Sequence, residues 1–190
     1  NIELDDNHIP EKMTWNAQDG GVENQETKAT MISVWDDKKF EALRIDLWTK
    51  DMPVDQMKEL VNEMKQAGKT TYLEVVSLSE QDGLSGAKLS VEAGFDVLMG
   101  TVFFDSIWDY LKDKPIKYYP FPGHVHSHPS ILDGTIDEIV NHALFLQGKG
   151  VPGLDLLSYR YVGNAKALLR EVVAATKIPI VSAGSIASFE

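Results

Sequence analysis

Three of the chain's five histidines sit at alternating positions in "GHVHSHPS", residues 123–130, directly after the apolar run "KYYPFP". In an extended chain His124, His126 and His128 would share one face, and neutral imidazoles on one face bind divalent metals. Gly123 and Pro129 bracket the run and mark a loop, where a period of two need not hold, and the segment supplies no carboxylate before Asp133. Three readings stand: a metal site, a substrate-contacting loop with one acid–base histidine, and a solvated loop. The bracketing residues weigh against the first, so no metal and no other cofactor is assigned. His124, nearest the end of the apolar run, is the candidate for proton transfer. His8 and His142 read as incidental.

Other candidates come from the apolar runs themselves. Glu74 lies inside "YLEVVS", where an unpaired carboxylate is costly, so it is paired, protonated or lining a polar cavity. It is the candidate general base, with a structural ion pair or an outward-facing position as the plainer alternatives. Arg160, in "YRY", has the fork geometry to grip a carboxylate or phosphate, or to pair with a neighbouring acid at a strand exit. In "SAGSIAS", Gly184 would let the backbone approach a ligand while Ser182 and Ser185 offer hydroxyls, and the N–H groups opening a following helix favour an anion. An ordinary tight turn with serine as helix cap is the alternative.

Two kinds of element must position these groups. Up to residue 50 the pattern is antiparallel: "FEALRIDLW" alternates apolar Leu43, Ile45 and Leu47 with Arg44, Asp46 and Trp48, and "ATMISVW" is its hairpin partner across Asp36, Asp37 and Lys38. An earlier strand falls in "NIELDD" or "EKMTWNA", with "QDGGVENQETK" as a polar loop between it and the hairpin. Trp15, Trp35 and Trp48 read as core or cross-strand residues. A helix follows over 53–68, started by Pro53 and ended by Gly68. Beyond it, apolar runs at 71–78, 95–104, 116–122, 153–159 and 178–185 alternate with helical stretches, the pattern of a parallel sheet covered by helices. No glycine-rich dinucleotide loop follows any run, so (βα) units resembling a partial barrel are expected rather than a doubly wound sheet. The fold class is thus α/β: an antiparallel meander plus helix over 1–58, then an incomplete (βα) region over 59–190. In such folds functional groups gather beyond the carboxyl ends of the strands, which is where His124, Arg160, Ser182, Gly184 and Ser185 fall.

Composition narrows the partners. A net charge of −11 argues against attraction to nucleic acid or anionic membranes. No apolar run approaches the length of a membrane helix, the first residues "NIELDDNH" are unlike a signal peptide, and the expectation is a soluble, cytoplasmic protein. The absence of cysteine excludes disulfides and thiol catalysis. An incomplete barrel exposes strand edges, so self-association into a homo-oligomer is also expected.

The segments "TWNAQDGG", "VWDDKK" and "RIDLWTKDMPVDQMK" closely resemble the gliding-motility-associated GldC family of the Bacteroidetes, over roughly residues 1–58. That resemblance implies an accessory or structural role in surface motility and carries over no catalytic residues. "IPIVSAGSIAS" is similar to the strand and turn preceding a helix in phosphate-binding (βα) barrels of the ribulose-phosphate type and, more weakly, in the glycerol-responsive antiterminators. It implies a small phosphorylated or carboxylated ligand held by Ser182, Gly184, Ser185 and Arg160, with Glu74 or His124 moving a proton in a lyase, isomerase or aldolase-like reaction. The alternatives are a non-catalytic motility module and a composite chain with no evolved function as a whole.

Overall fold

A computed structural model describes residues 1–6, 9–36, 38, 41–49 and 51–184, with 33–36 and 41–48 taken from the backbone. The chain divides into two compact units, Asn1–Met57 and Lys58–Glu190.

The first unit is antiparallel throughout. Strands β1 (Ile2–Leu4), β2 (Pro10–Ala17) and β3 (Val22–Thr27) form one sheet in chain order. Strands β4 (Ala29–Asp36) and β5 (Glu41–Trp48) form the expected hairpin, pairing in register from Ala29 with Trp48 to Asp36 with Glu41. The segment read as a polar loop contains β3. Its sequence, "VENQET", has no apolar alternation because neither face is buried, and its conformation is fixed by pairing with β2, Met13 opposite Thr27 and Trp15 opposite Gln25. Met13 is fully buried, whereas Trp15, read as a core or cross-strand residue, is 46% exposed and stands across from Gln25. Trp35 and Trp48 have side chains outside the described set, as does the whole of His8.

Helix α1 (Val54–Gln66) starts after Pro53. It stops where Gly68 takes a φ of 72° and the Gly68 and Lys69 amides cap the carbonyls of Lys65 and Met64.

In the second unit β6 (Tyr72–Ser77), α2 (Glu80–Ala93), β7 (Val97–Val102), α3 (Asp105–Leu111) and β8 (Lys117–Phe121) alternate. Next come the short strands β9 (His124–His126) and β10 (Ile131–Asp133), then α4 (Ile136–Lys149), β11 (Leu154–Leu156), α5 (Ala165–Ala175) and β12 (Ile180–Ser182). β6, β7 and β8 form a parallel sheet in chain order, β11 pairs parallel with β12, and β11 lies beside β8. The helix starts are chemically explicit. Ser79 caps α2, Asn164 caps α5, and Thr135 with Glu138 forms a reciprocal capping box on α4.

Alternation along the parallel strands separates two apolar layers. Leu73, Leu98, Tyr118, Phe121, Leu154 and Leu156 pack with the helices as the main core. Val97, Met99 and Tyr119, with Val181, make a smaller cluster on the opposite face.

One expectation holds only in its coarser form and one needs correction. The first is the partial barrel: the architecture is mixed α/β with several small sheets, no barrel is shown, and among the described residues nothing pairs β12 with β6. Five parallel strands are too few to wrap and close. The second is the histidine segment, which is strand rather than loop at 124–126. Antiparallel pairing with 131–133 supplies the extended geometry that the bracketing Gly123 and Pro129 seemed to forbid. Gly123 has φ 85° and is packed so tightly that a Cβ there would lie 2.7 Å from Leu132 Cδ1 and 3.0 Å from Ile139 Cγ1. It turns the chain out of β8 rather than marking a solvated loop.

Candidate functional site

Leu73 belongs to the main core, so Glu74, its neighbour on β6, points to the opposite face of the sheet. Leu154 and Leu156 fix Asp155 on β11 the same way, and its register partner Val181 packs on the Val97, Met99 and Tyr119 cluster. Gly100 makes room between them: a Cβ at this position, where φ is 83°, would stand 2.6 Å from Glu74 Cγ. The result is two carboxyl groups on one inner surface.

Their environments differ. Asp155 is wholly buried, and neither carboxylate oxygen has a hydrogen-bond partner among the described residues. Burial first, and the Glu74 charge second, push its carboxyl up to about 8; the Gly100 backbone acts the other way from outside hydrogen-bonding geometry. Glu74 is an exposed residue, and the partial burial of its carboxyl raises it. The pair therefore sets a buried carboxyl, pushed up to about 8, beside a more exposed one that burial raises in the same direction.

Next to the pair lies a cavity of about 290 Å³ lined by Glu74, Val76, Phe121, His128, Pro129, Ser130, Leu157, Arg160, Ala183 and Gly184. It sits at the carboxyl ends of β6, β8, β11 and β12. Three of the sequence candidates, Glu74, Arg160 and Gly184, meet here. Arg160 is carried in on a 3-10 turn, Ser158–Arg160, whose end is held by the Tyr161 amide on the Ser158 carbonyl at 3.4 Å. The close approach that Gly184 permits is to this turn: a Cβ at Gly184, φ 108°, would meet the Arg160 backbone nitrogen at 2.9 Å and its Cγ at 2.8 Å. Ser130 adds a buried hydroxyl with no hydrogen-bond partner among the described residues. The other candidates lie elsewhere. The Ser182 hydroxyl shares a 2.6 Å hydrogen bond with the Ser158 hydroxyl, and Ser185 falls outside the described residues.

His124 opens instead onto a second cavity, of about 470 Å³, with Gly123, Asp133, Gly134, Glu138, Ile139 and His142. It does not share the Glu74 cavity. His142, read as incidental, accepts the Gly123 N–H on Nδ1 at 2.8 Å and stacks on Phe145, so it pins the start of β9. Burial holds its imidazole below the usual range.

Sequence reading missed Asp155 and Ser130, and it weighed His128 only with the other two histidines, not beside Glu74. Asp155 carried a usable signal, an acid centred in the apolar run "GLDLLS", the same pattern that singled out Glu74. Ser130 carried none, since a loop residue's burial is set by what packs over it.

Residues 10–78 match the model of the family described as Gliding motility-associated protein GldC-like. That part of the chain is similar to the GldC-like family. The match covers little more than a third of the chain's 190 residues and runs through α1 and β6, well past the limit near residue 58 expected from the sequence. No curated protein matches the chain. Among the described residues no helix is long and apolar enough to cross a membrane.

Proposed function

We propose that the GldC-like part acts as a non-catalytic interaction module of a gliding-motility apparatus. The family match over residues 10–78 carries this reading. It is supported by the large apolar side chains that the first unit leaves exposed, Ile2, Leu4, Ile9 and Trp15, which are available for contact with a partner. Complementation tests it. In a gliding bacterium lacking its own GldC, the chain should restore colony spreading, and Trp15→Asp should weaken restoration at equal protein level. Failure of the well-expressed parent chain to restore any spreading would sink the reading.

A second reading is favoured by the convergence of Arg160, Glu74 and Ser130 on one cavity beside Asp155. Here the α/β unit binds a small carboxylated or phosphorylated molecule through Arg160 and moves a proton through the Glu74–Asp155 pair. A thermal-shift screen with sugar phosphates and short carboxylic acids should give stabilisation that Arg160→Ala abolishes while the fold, by circular dichroism, is kept. Equal shifts in parent and variant would count against it.

A further inference from the structure

We propose that His124, His126 and Asp133 form a binding site for a borderline divalent transition metal such as Zn²⁺ or Co²⁺. The β9–β10 hairpin brings them together. His124 and His126 are two apart on one extended strand and so share a face, with Val125 turned into the core between them. Asp133 stands directly opposite His124 in the antiparallel register. One ligand atom from each of the three residues lies within 4.8 Å of the other two. The imidazole centroids are 5.3 Å apart, and His126 Nε2 is 3.9 Å from Asp133 Oδ2. Ligands bound at about 2.1 Å in tetrahedral geometry stand roughly 3.4 Å apart, so closure asks only for small side-chain rotations on an exposed rim.

The atoms behind the ligands are already held. His126 Nδ1 shares a 2.8 Å hydrogen bond with the Ser127 hydroxyl, leaving Nε2 for the metal. Asp133 Oδ1 accepts the Gly134 N–H at 2.6 Å, leaving Oδ2. Partners of this kind orient metal ligands and fix the imidazole tautomer. Ser127 adopts a φ of 66°, unusual for a serine, in the turn that places its hydroxyl there.

The donor set selects the ion. Two imidazoles and one carboxylate suit zinc, cobalt, nickel or ferrous iron, whereas magnesium and calcium require an oxygen shell. Three ligands leave coordination positions free, and two of the three, His124 and Asp133, also line the 470 Å³ cavity. Glu138 lines the same cavity but is not among the residues whose ligand atoms lie within 4.8 Å of one another, and its Oε2 is engaged by the Thr135 amide and hydroxyl at 2.7 and 2.9 Å. The site is therefore open to water or an exogenous donor. It shares no residue with the Glu74 cavity and stands or falls independently of both functional readings.

The test is a Co²⁺ titration of the full, tag-free chain followed by visible absorption, with Zn²⁺ affinity by calorimetry. One equivalent should saturate the ligand-field bands, and Zn²⁺ should displace them. His126→Gln and Asp133→Asn should each abolish saturable binding. Ser127→Ala, which removes only the orienting hydroxyl, should weaken it about 10–100-fold. His128→Ala should leave it unchanged. Absence of saturable binding by the parent, or retention of full affinity in folded His126→Gln and Asp133→Asn variants, overturns the proposal.

Discussion

Asp155 is the residue on which the chemistry of the inner surface turns. Its folded value of about 8 lies far above the ordinary 3.8, so the native state keeps a proton that the unfolded chain releases. Between those two values the native state binds more protons, and stability falls as pH rises from about 4 to 8, then levels off. Each unit of displacement is worth about 1.4 kcal/mol, so the cost of ionising Asp155 in place reaches several kcal/mol at the alkaline end. Asp155→Asn removes that cost. Thermal denaturation should show parent and variant nearly level at pH 4, with the variant's advantage growing to pH 8. Glu74→Gln should lower the pH at which the parent's stability levels off, since the Glu74 charge is the second cause of the displacement. A pH-independent difference between parent and Asp155→Asn would mean that Asp155 is ionised throughout. Glu74 and Arg160 were legible in the sequence because a charge inside an apolar run is anomalous on its face. The partnership with Asp155 was not legible, because it depends on β6 and β11, far apart in the chain, turning the same face inward.

At the scale of elements, the periodic patterns carried most of the fold. The five apolar runs, the helix ended by Gly68 and the β4–β5 hairpin all have local causes: alternation, capping residues and turn composition. What failed locally was pairing. β3 and β9 are strands because β2 and β10 bond to them, and nothing in "VENQET" or "HVH" announces the partner. Close packing between elements was equally hidden in residue types that read as helix weakeners. Gly86 in α2 faces β6 so closely that an added Cβ would lie 2.7 Å from Val75 Cγ2 and 3.0 Å from Val75 Cγ1. Alanine there gains helix propensity of about 1 kcal/mol but must push the helix off the strand, a cost of roughly 1–3 kcal/mol in a packed core. Gly86→Ala should therefore be neutral to destabilising by about 2 kcal/mol in urea unfolding. Gly148→Ala in α4, where a Cβ meets nothing within 4 Å, should be stabilising. Stabilisation of equal size at both positions would show that α2 is not seated on β6 as described.

For the whole molecule the open question is how the α/β unit finishes its sheet. Among the described residues β6 has a single strand neighbour, β7, so one edge offers unpaired backbone groups. The same strand leaves Tyr72 and Val76, on the face they share with Glu74, 48% and 49% exposed. An unpaired edge with apolar side chains along one face is a template for pairing with another copy. The net charge of −11 opposes association only at long range and is screened by physiological salt beyond about 8 Å. We therefore expect sedimentation equilibrium at 0.15 M salt to show a reversible, concentration-dependent dimer. Val76→Lys adds a solvated charge at the edge without touching the main core, and it should shift the chain to monomer with its circular dichroism unchanged. Lowering the salt to 0.01 M, where like charges repel over about 30 Å, should weaken the parent dimer in the same direction. A parent chain that stays monomeric at high concentration would show that the β6 edge is already satisfied within one molecule.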